Sequence, residues 1–111
     1  MKLCVDDKAG AKFVRVRENV DFGNAEDFGR AVEQLIDEGT EHIVFDLSDI
    51  KFINSTGIGI LALTYRAMKR RGGRMIVIVQ ATEVKRLFGI TNFIDIFEIV
   101  ATEEEALALL T

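Results

Sequence analysis

A change of period constrains this chain more than any other feature. Two nearly continuous apolar runs, HIVFDL (42–47) and RMIVIV (74–79), read as strands covered on both faces. The segments before them keep a helical spacing instead. Ala25, Phe28, Val32, Leu35 and Ile36 make one apolar stripe, and Ile58, Leu61, Ala62, Tyr65 and Met68 make a second. Strands alternating with helices of this length imply mostly parallel pairing with right-handed crossovers.

The remaining elements follow from local signals. KLCV (2–5) and KFVRVRE (12–18) read as two short strands around the turn DDKAGA, an antiparallel hairpin. Asn24 stands where it can cap the first helix, Glu26 and Asp27 suit its positive end, and Gly39 ends it. The second helix stops at KRRGG, where Lys69, Arg70 and Arg71 meet the negative end of the dipole. ATEVKRLFGI is a short helix with Thr82 as cap and Val84, Leu87 and Phe88 inward, and IFEIV (96–100) is a last strand. Thr102 and Glu105 have the spacing of a capping box and start a C-terminal helix. The expected order is β-β-α-β-α-β-α-β-α. This is an α/β fold: a small mixed β-sheet, hairpin first and then mostly parallel, flanked by about four helices in one domain over residues 1–111.

Composition narrows the function. With a net charge of −4 and a pI near 5.0, the chain does not attract nucleic acid or an anionic membrane surface. One cysteine, Cys4, permits no intrachain disulfide and no thiolate cage; in an apolar strand it is expected to be buried and inert. The start MKLCVDDKAG is no signal peptide, and no apolar run nears the ~20 residues that span a bilayer. A cytoplasmic protein is expected. His42 is the only histidine and reads as a strand-end residue. Asp46, Asp49 and Lys51 flank a strand without forming an acid–base pair, so no enzyme and no cofactor are expected.

The stretch FINSTGIGIL (52–61) holds the chemistry that remains. Asn54, Ser55 and Thr56 interrupt an apolar run at a strand-to-helix junction. A serine or threonine there serves as a cap, its oxygen accepting free N–H groups. The same helix N-terminus also accepts a phosphate, and one hydroxyl can cap while its neighbour stays exposed. Gly57 and Gly59 are poor helix formers that let another backbone approach. On this reading Gly57 and Ile58 lie on the docking face and Gly59 packs inward. A nucleotide loop does not fit: Ile60 and Leu61 replace the P-loop lysine, and Ala62 stands where the dinucleotide fingerprint has a third glycine.

From DLSDIKFINSTGIGILALTYRAMKRRGGRMIVIV the chain resembles the STAS family, the sulfate transporter and anti-sigma-factor antagonist domains. ENVDFGNAEDF and TNFIDIFEIVATEEEAL are similar to the family's loop before its first helix and its C-terminal strand and helix. The resemblance implies an anti-sigma factor antagonist. Such a protein binds an anti-sigma factor that is also a GHKL-type serine kinase, is released by phosphorylation, and is restored by a PP2C-type phosphatase. It implies Ser55 as the phosphorylated residue, with Thr56 beside it, and Asp21 on the same partner-binding surface as Asn54, Ser55, Thr56, Gly57 and Ile58. The family's usual Asp before the serine is Asn54 here. The alternative is a non-switched STAS subunit, in a lipid-handling ABC transporter or a signalling scaffold.

Overall fold

The computed structural model describes residues 1–111. The chain begins with a hairpin of β1 (Leu3–Lys8) and β2 (Ala11–Val16). It continues through α1 (Ala25–Asp37), β3 (His42–Asp46), α2 (Ser55–Arg70), β4 (Arg74–Ile78) and α3 (Thr82–Ile90). A short 3-10 turn (Phe93–Asp95), β5 (Glu98–Val100) and α4 (Glu103–Leu110) complete it. The order is the one the periods imply; the 3-10 turn is an addition.

The sheet runs β1-β2-β3-β4-β5, antiparallel at β1–β2 and parallel elsewhere. Because each new strand is added on the same side, right-handed crossovers carry α1, α2 and α3 over one face. Only α4, after the last strand, folds onto the other. The register keeps the two layers apart. Val14, Phe45 and Val77 pair across neighbouring strands and join the core under α1–α3. The alternate row, Phe13, Val44 and Ile76, joins the smaller core with Ala106 of α4. Slipping one strand by one residue would exchange the rows, so register is strongly specified. Phe28 of α1 meets Phe45 edge-on at 5.9 Å, both fully buried. Each such side chain is worth about 1.5–3 kcal/mol in water released. Phe97 stacks on Phe93 (4.9 Å) and stands edge-on to Phe88 (5.9 Å).

Four local expectations need correction. The strands of the hairpin extend through DDKAGA, leaving a two-residue turn at Ala9 (φ 50°) and Gly10 (φ 77°). Two left-handed residues match the twist of a tight hairpin. Charges fit inside β1 because it is an edge strand, and edge charges discourage pairing with another chain. Cys4 is exposed for the same reason: it sits opposite Arg15 on that edge strand, whereas α4 packs on β4 and β5. Thr82 is the first residue of α3, after Ala81, and makes no side-chain cap. Asn24 occupies the N-cap position of α1 but turns its side chain backward into the preceding loop.

Other ends behave as read. Gly39 and Gly72 take the left-handed conformation just past α1 and α2. Thr102 accepts from Glu105 N–H, while the Glu105 carboxylate reaches Ala101 N–H, one residue beyond the usual box. The basic cluster is dispersed into structural work. Arg71 donates to the Thr40 and Ile36 carbonyls at 2.8 and 2.7 Å, satisfying the end of α1. Arg74 pairs with Glu98 on β5.

Candidate functional site

All parallel strands point their C-terminal ends to one rim of the sheet, where α1 and α2 begin, and crevices at such ends are natural places for a site. Two loops meet there, 17–24 and 47–54. A short parallel bridge joins them: Val20 N–H donates to the Phe52 carbonyl (3.1 Å) and Asn54 N–H to the Val20 carbonyl (2.9 Å). Asn19 adds a clamp, its Oδ1 accepting from Lys51 N–H (2.8 Å) and Phe52 N–H (3.2 Å). The residue after Val20 is Asp21, so the bridge brings Asp21 beside the NST turn across more than thirty residues of sequence.

The Asp21 loop is held by its own polar groups. Asp21 Oδ1 accepts from Gly23 N–H, and Asp21 N–H donates to Asn24 Oδ1, both at 2.9 Å. Asn24 Nδ2 donates back to the Asn19 carbonyl (2.8 Å) and to Glu18 (3.2 Å). This is why Asn24 does not cap α1: the loop claims its side chain. Asn19, Val20 and Asn24 are therefore part of the site's frame. Periodicity gives no sign of Asn19 and Val20, whose partners lie more than thirty residues on, and shows Asn24 only as a cap, because its partners sit in the irregular loop just before it.

The turn itself corrects the expectation that a hydroxyl caps. α2 starts at Ser55, and its cap is Asn54, in extended conformation, whose Oδ1 accepts from Gly57 N–H at 2.8 Å. Ile58 N–H takes the Asn54 carbonyl. Ser55 and Thr56 are then free of capping duty and exposed. Their N–H groups have no backbone acceptor, as in the first turn of any helix. The first turn carries no acid. An exposed hydroxyl thus stands at the positive end of a sixteen-residue helix with unsatisfied donors beside it.

The glycines exchange their expected places. Gly57 is buried, and a Cβ there would stand 2.6 Å from Ile53 Cγ1 and 2.9 Å from Val20 Cγ1. Gly59 has open space where a Cβ would go. Ile58 is also buried, at 2% exposure. Gly57 and Ile58 support the turn from beneath; Asp21, Ser55 and Thr56 face solvent, with Asn54 partly covered. The bare Gly57 lets α2 close on the Val20–Ile53 bridge, which ties the two loops to the helix.

The other sequence candidates lie elsewhere. His42 is at the start of β3, its Nδ1 accepting from Arg74 N–H (3.1 Å). Asp49 is bound by Arg15 through two bonds of 2.9 and 3.3 Å, which hold its carboxyl below the usual carboxylate range. Asp46 accepts from Ser48 at 2.6 Å. No group of three or more His, Cys, Asp or Glu side chains is placed to hold a metal ion. No helix is long and apolar enough to cross a membrane.

Comparison with known proteins agrees with this fold. The chain is 27% identical over 106 residues to the anti-sigma-B factor antagonist of Bacillus subtilis, covering 94% of this chain and 96% of that one. The crystal structure of an anti-sigma factor antagonist from Mycobacterium paratuberculosis superposes with a TM-score of 0.89 at 26% identity, covering 98% and 92%. The Bacillus cell fate determinant SpoIIAA in its phosphorylated form shares the fold, with a TM-score of 0.76 at 19% identity over 99% and 100%. Residues 4–106 match the STAS domain, and the chain belongs to that family.

Proposed function

We propose that this chain is a phospho-switched anti-sigma factor antagonist, acting in the cytoplasm as one STAS domain over residues 1–111. It binds an anti-sigma factor that is also a GHKL-type serine kinase, which frees a sigma factor; phosphorylation of Ser55 ends the binding and a PP2C-type phosphatase restores it. It acts by binding, without catalysis, cofactor, nucleic acid or membrane insertion. One observation carries the reading: Asn54 does the capping, so the Ser55 hydroxyl is exposed and unpartnered beside the Asp21 loop. A solved neighbour of the same fold takes a phosphorylated form. Partner contact centres on Asp21, Asn54, Ser55 and Thr56, with Gly57 and Ile58 holding the turn in shape.

The switch follows from two unequal magnitudes. A phosphate adds about −1.5 to −2 charges. On the free domain the helix terminus favours it by ~0.3–1 kcal/mol. In a packed interface an unpaired charge costs ~2–5 kcal/mol, which is roughly a 30- to several-thousand-fold loss of affinity. The fold survives and the complex does not. Asn54 keeps the cap that the family's aspartate would make, and it removes a charge that would repel the phosphate.

Titration calorimetry against the candidate kinase, with and without ATP, is the test. Ser55→Asp is expected to bind at least tenfold more weakly than wild type, and Ser55→Ala to bind but resist release by ATP. Equal affinities for all three forms, with no phosphate on Ser55 or Thr56, would sink the switch. The non-switched transporter or scaffold subunit would then be the reading to hold.

A further inference from the structure

Beside the Ser55 turn, a groove of about 690 Å³ runs between α1 and α2. Its floor is Ala25, Gly29 and Val32 from α1, and its far wall is Ile60 and Leu63 from α2. Gly29 makes the floor deep: a Cβ there would stand 3.3 Å from Ile60 Cδ1. Asn54 and Thr56 line the same groove, so it is continuous with the proposed phosphorylation site. Phe22 at its mouth is 100% exposed and Leu63 on its wall 63%. A phenylalanine and a leucine so uncovered, on one side of a small domain, form an apolar surface that needs a partner.

The charge on the groove's α1 side says what kind. Glu26, Arg30 and Glu33 of α1 also line the groove, Asp27 and Asp37 lie on the same helix, and its one cation, Arg30, is taken by Glu26 (3.3 Å) and Asp27 (3.4 Å). Glu33 has no ion-pair partner. The occupant must bring large apolar anchors for the floor and cations for one flank. Nucleic acid fails on the second count, and a rigid, flat protein surface cannot reach the floor.

We propose that the α1–α2 groove receives an amphipathic, basic-flanked helix of the same anti-sigma partner that docks on the Ser55 turn. This inference rests on the proposed function above and adds a second contact to it. Its anchors pack against Phe22, Ile60 and Leu63 in the manner of helix-in-groove recognition, and its Lys or Arg side chains meet Glu26 and Glu33. Phosphate on Ser55 stands at the open end of that groove, so turn and groove are lost together.

The experiment is calorimetric titration of the purified candidate kinase with wild type, Leu63→Glu, Glu33→Lys and Ser55→Asp, at low and high salt, with amide hydrogen exchange of the wild-type complex. Leu63 and Glu33 are both exposed, so circular dichroism of the two variants is expected to match wild type. Leu63→Glu is expected to lose at least tenfold in affinity, Glu33→Lys severalfold at low salt with a flatter salt dependence, and exchange in 25–36 and 60–64 is expected to slow on binding. Unchanged affinity for Leu63→Glu and Glu33→Lys beside a weakened Ser55→Asp would overturn the groove and leave the function standing. Absence of binding by wild type would overturn both.

Discussion

The inner and outer sides of the first two turns of α2 obey different rules. The inner side is Gly57, pressed on Val20 and Ile53 with no room for one added methyl group, and the buried Ile58 beside it. The outer side is Ser55, Thr56 and Gly59, where nothing within the chain limits what stands there. Two glycines separated by one residue therefore have opposite reasons to be glycine. The first is required by packing. The second costs the helix stability and gains no internal contact. The difference teaches that the inner side sets the shape of the turn, while the outer side is free for contact with something else.

The comparison breaks most visibly at Gly57. Gly57→Ala is expected to lower stability by about 1–3 kcal/mol, because Ile53 and Val20 are buried and branched and must shift. Gly57→Leu lies at or beyond the upper end of that range, so it tests the fold and not the docking face. Urea unfolding followed by circular dichroism measures both; a stability equal to wild type would mean that the helix does not close on the bridge. Asn54 sits between the two sides. Asn54→Ala is expected to cost about 1 kcal/mol by stranding Gly57 N–H, and Asn54→Asp to cost nothing. An alanine variant as stable as wild type in the same assay would remove Asn54 from the capping role. The smallest effect has the opposite sign. Gly59→Ala is expected to stabilise by about 0.5–1 kcal/mol, the propensity difference at an open helical site, seen as a higher thermal midpoint. A loss of stability there would place Gly59 on the inner side.

Much of this fold is legible in the sequence. The switch between helical and strand periods gave the element order, because both apolar stripes and both buried runs are long enough to have one reading. Gly39 and Gly72 marked helix ends by local chemistry alone. The missing parts depend on partners far away in sequence or on loop and boundary details that no period reports. Nothing near Gly57 in the chain reveals Val20, so its burial could not be read. Asn24 has the position of a cap, but its Oδ1 accepts from Asp21 N–H and its Nδ2 donates to Asn19 and Glu18, local loop bonds that no period reports. Whether Asn54 or Ser55 caps turns on a single residue of helix boundary, finer than periodicity resolves. The exposure of Cys4 is not legible locally, because an apolar strand looks the same at the edge of a sheet as at its centre. The resemblance to the family placed Ser55, and the geometry supplied the reason its hydroxyl is available.

The sequential order of the strands has a consequence for how the chain reaches this structure. Every pairing joins strands consecutive in the chain, but only β1–β2 closes through a tight turn; the parallel pairs close over an intervening helix, with partners such as Lys12 and Ile43 about thirty residues apart. Closing a parallel pair over such a loop is slower than closing the hairpin, so β1–β2 is the pairing expected to form first. The chain also has no proline, so no peptide-bond isomerisation can hold back a fraction of the molecules. Refolding after a chance unfolding is therefore expected to carry no proline-limited slow phase.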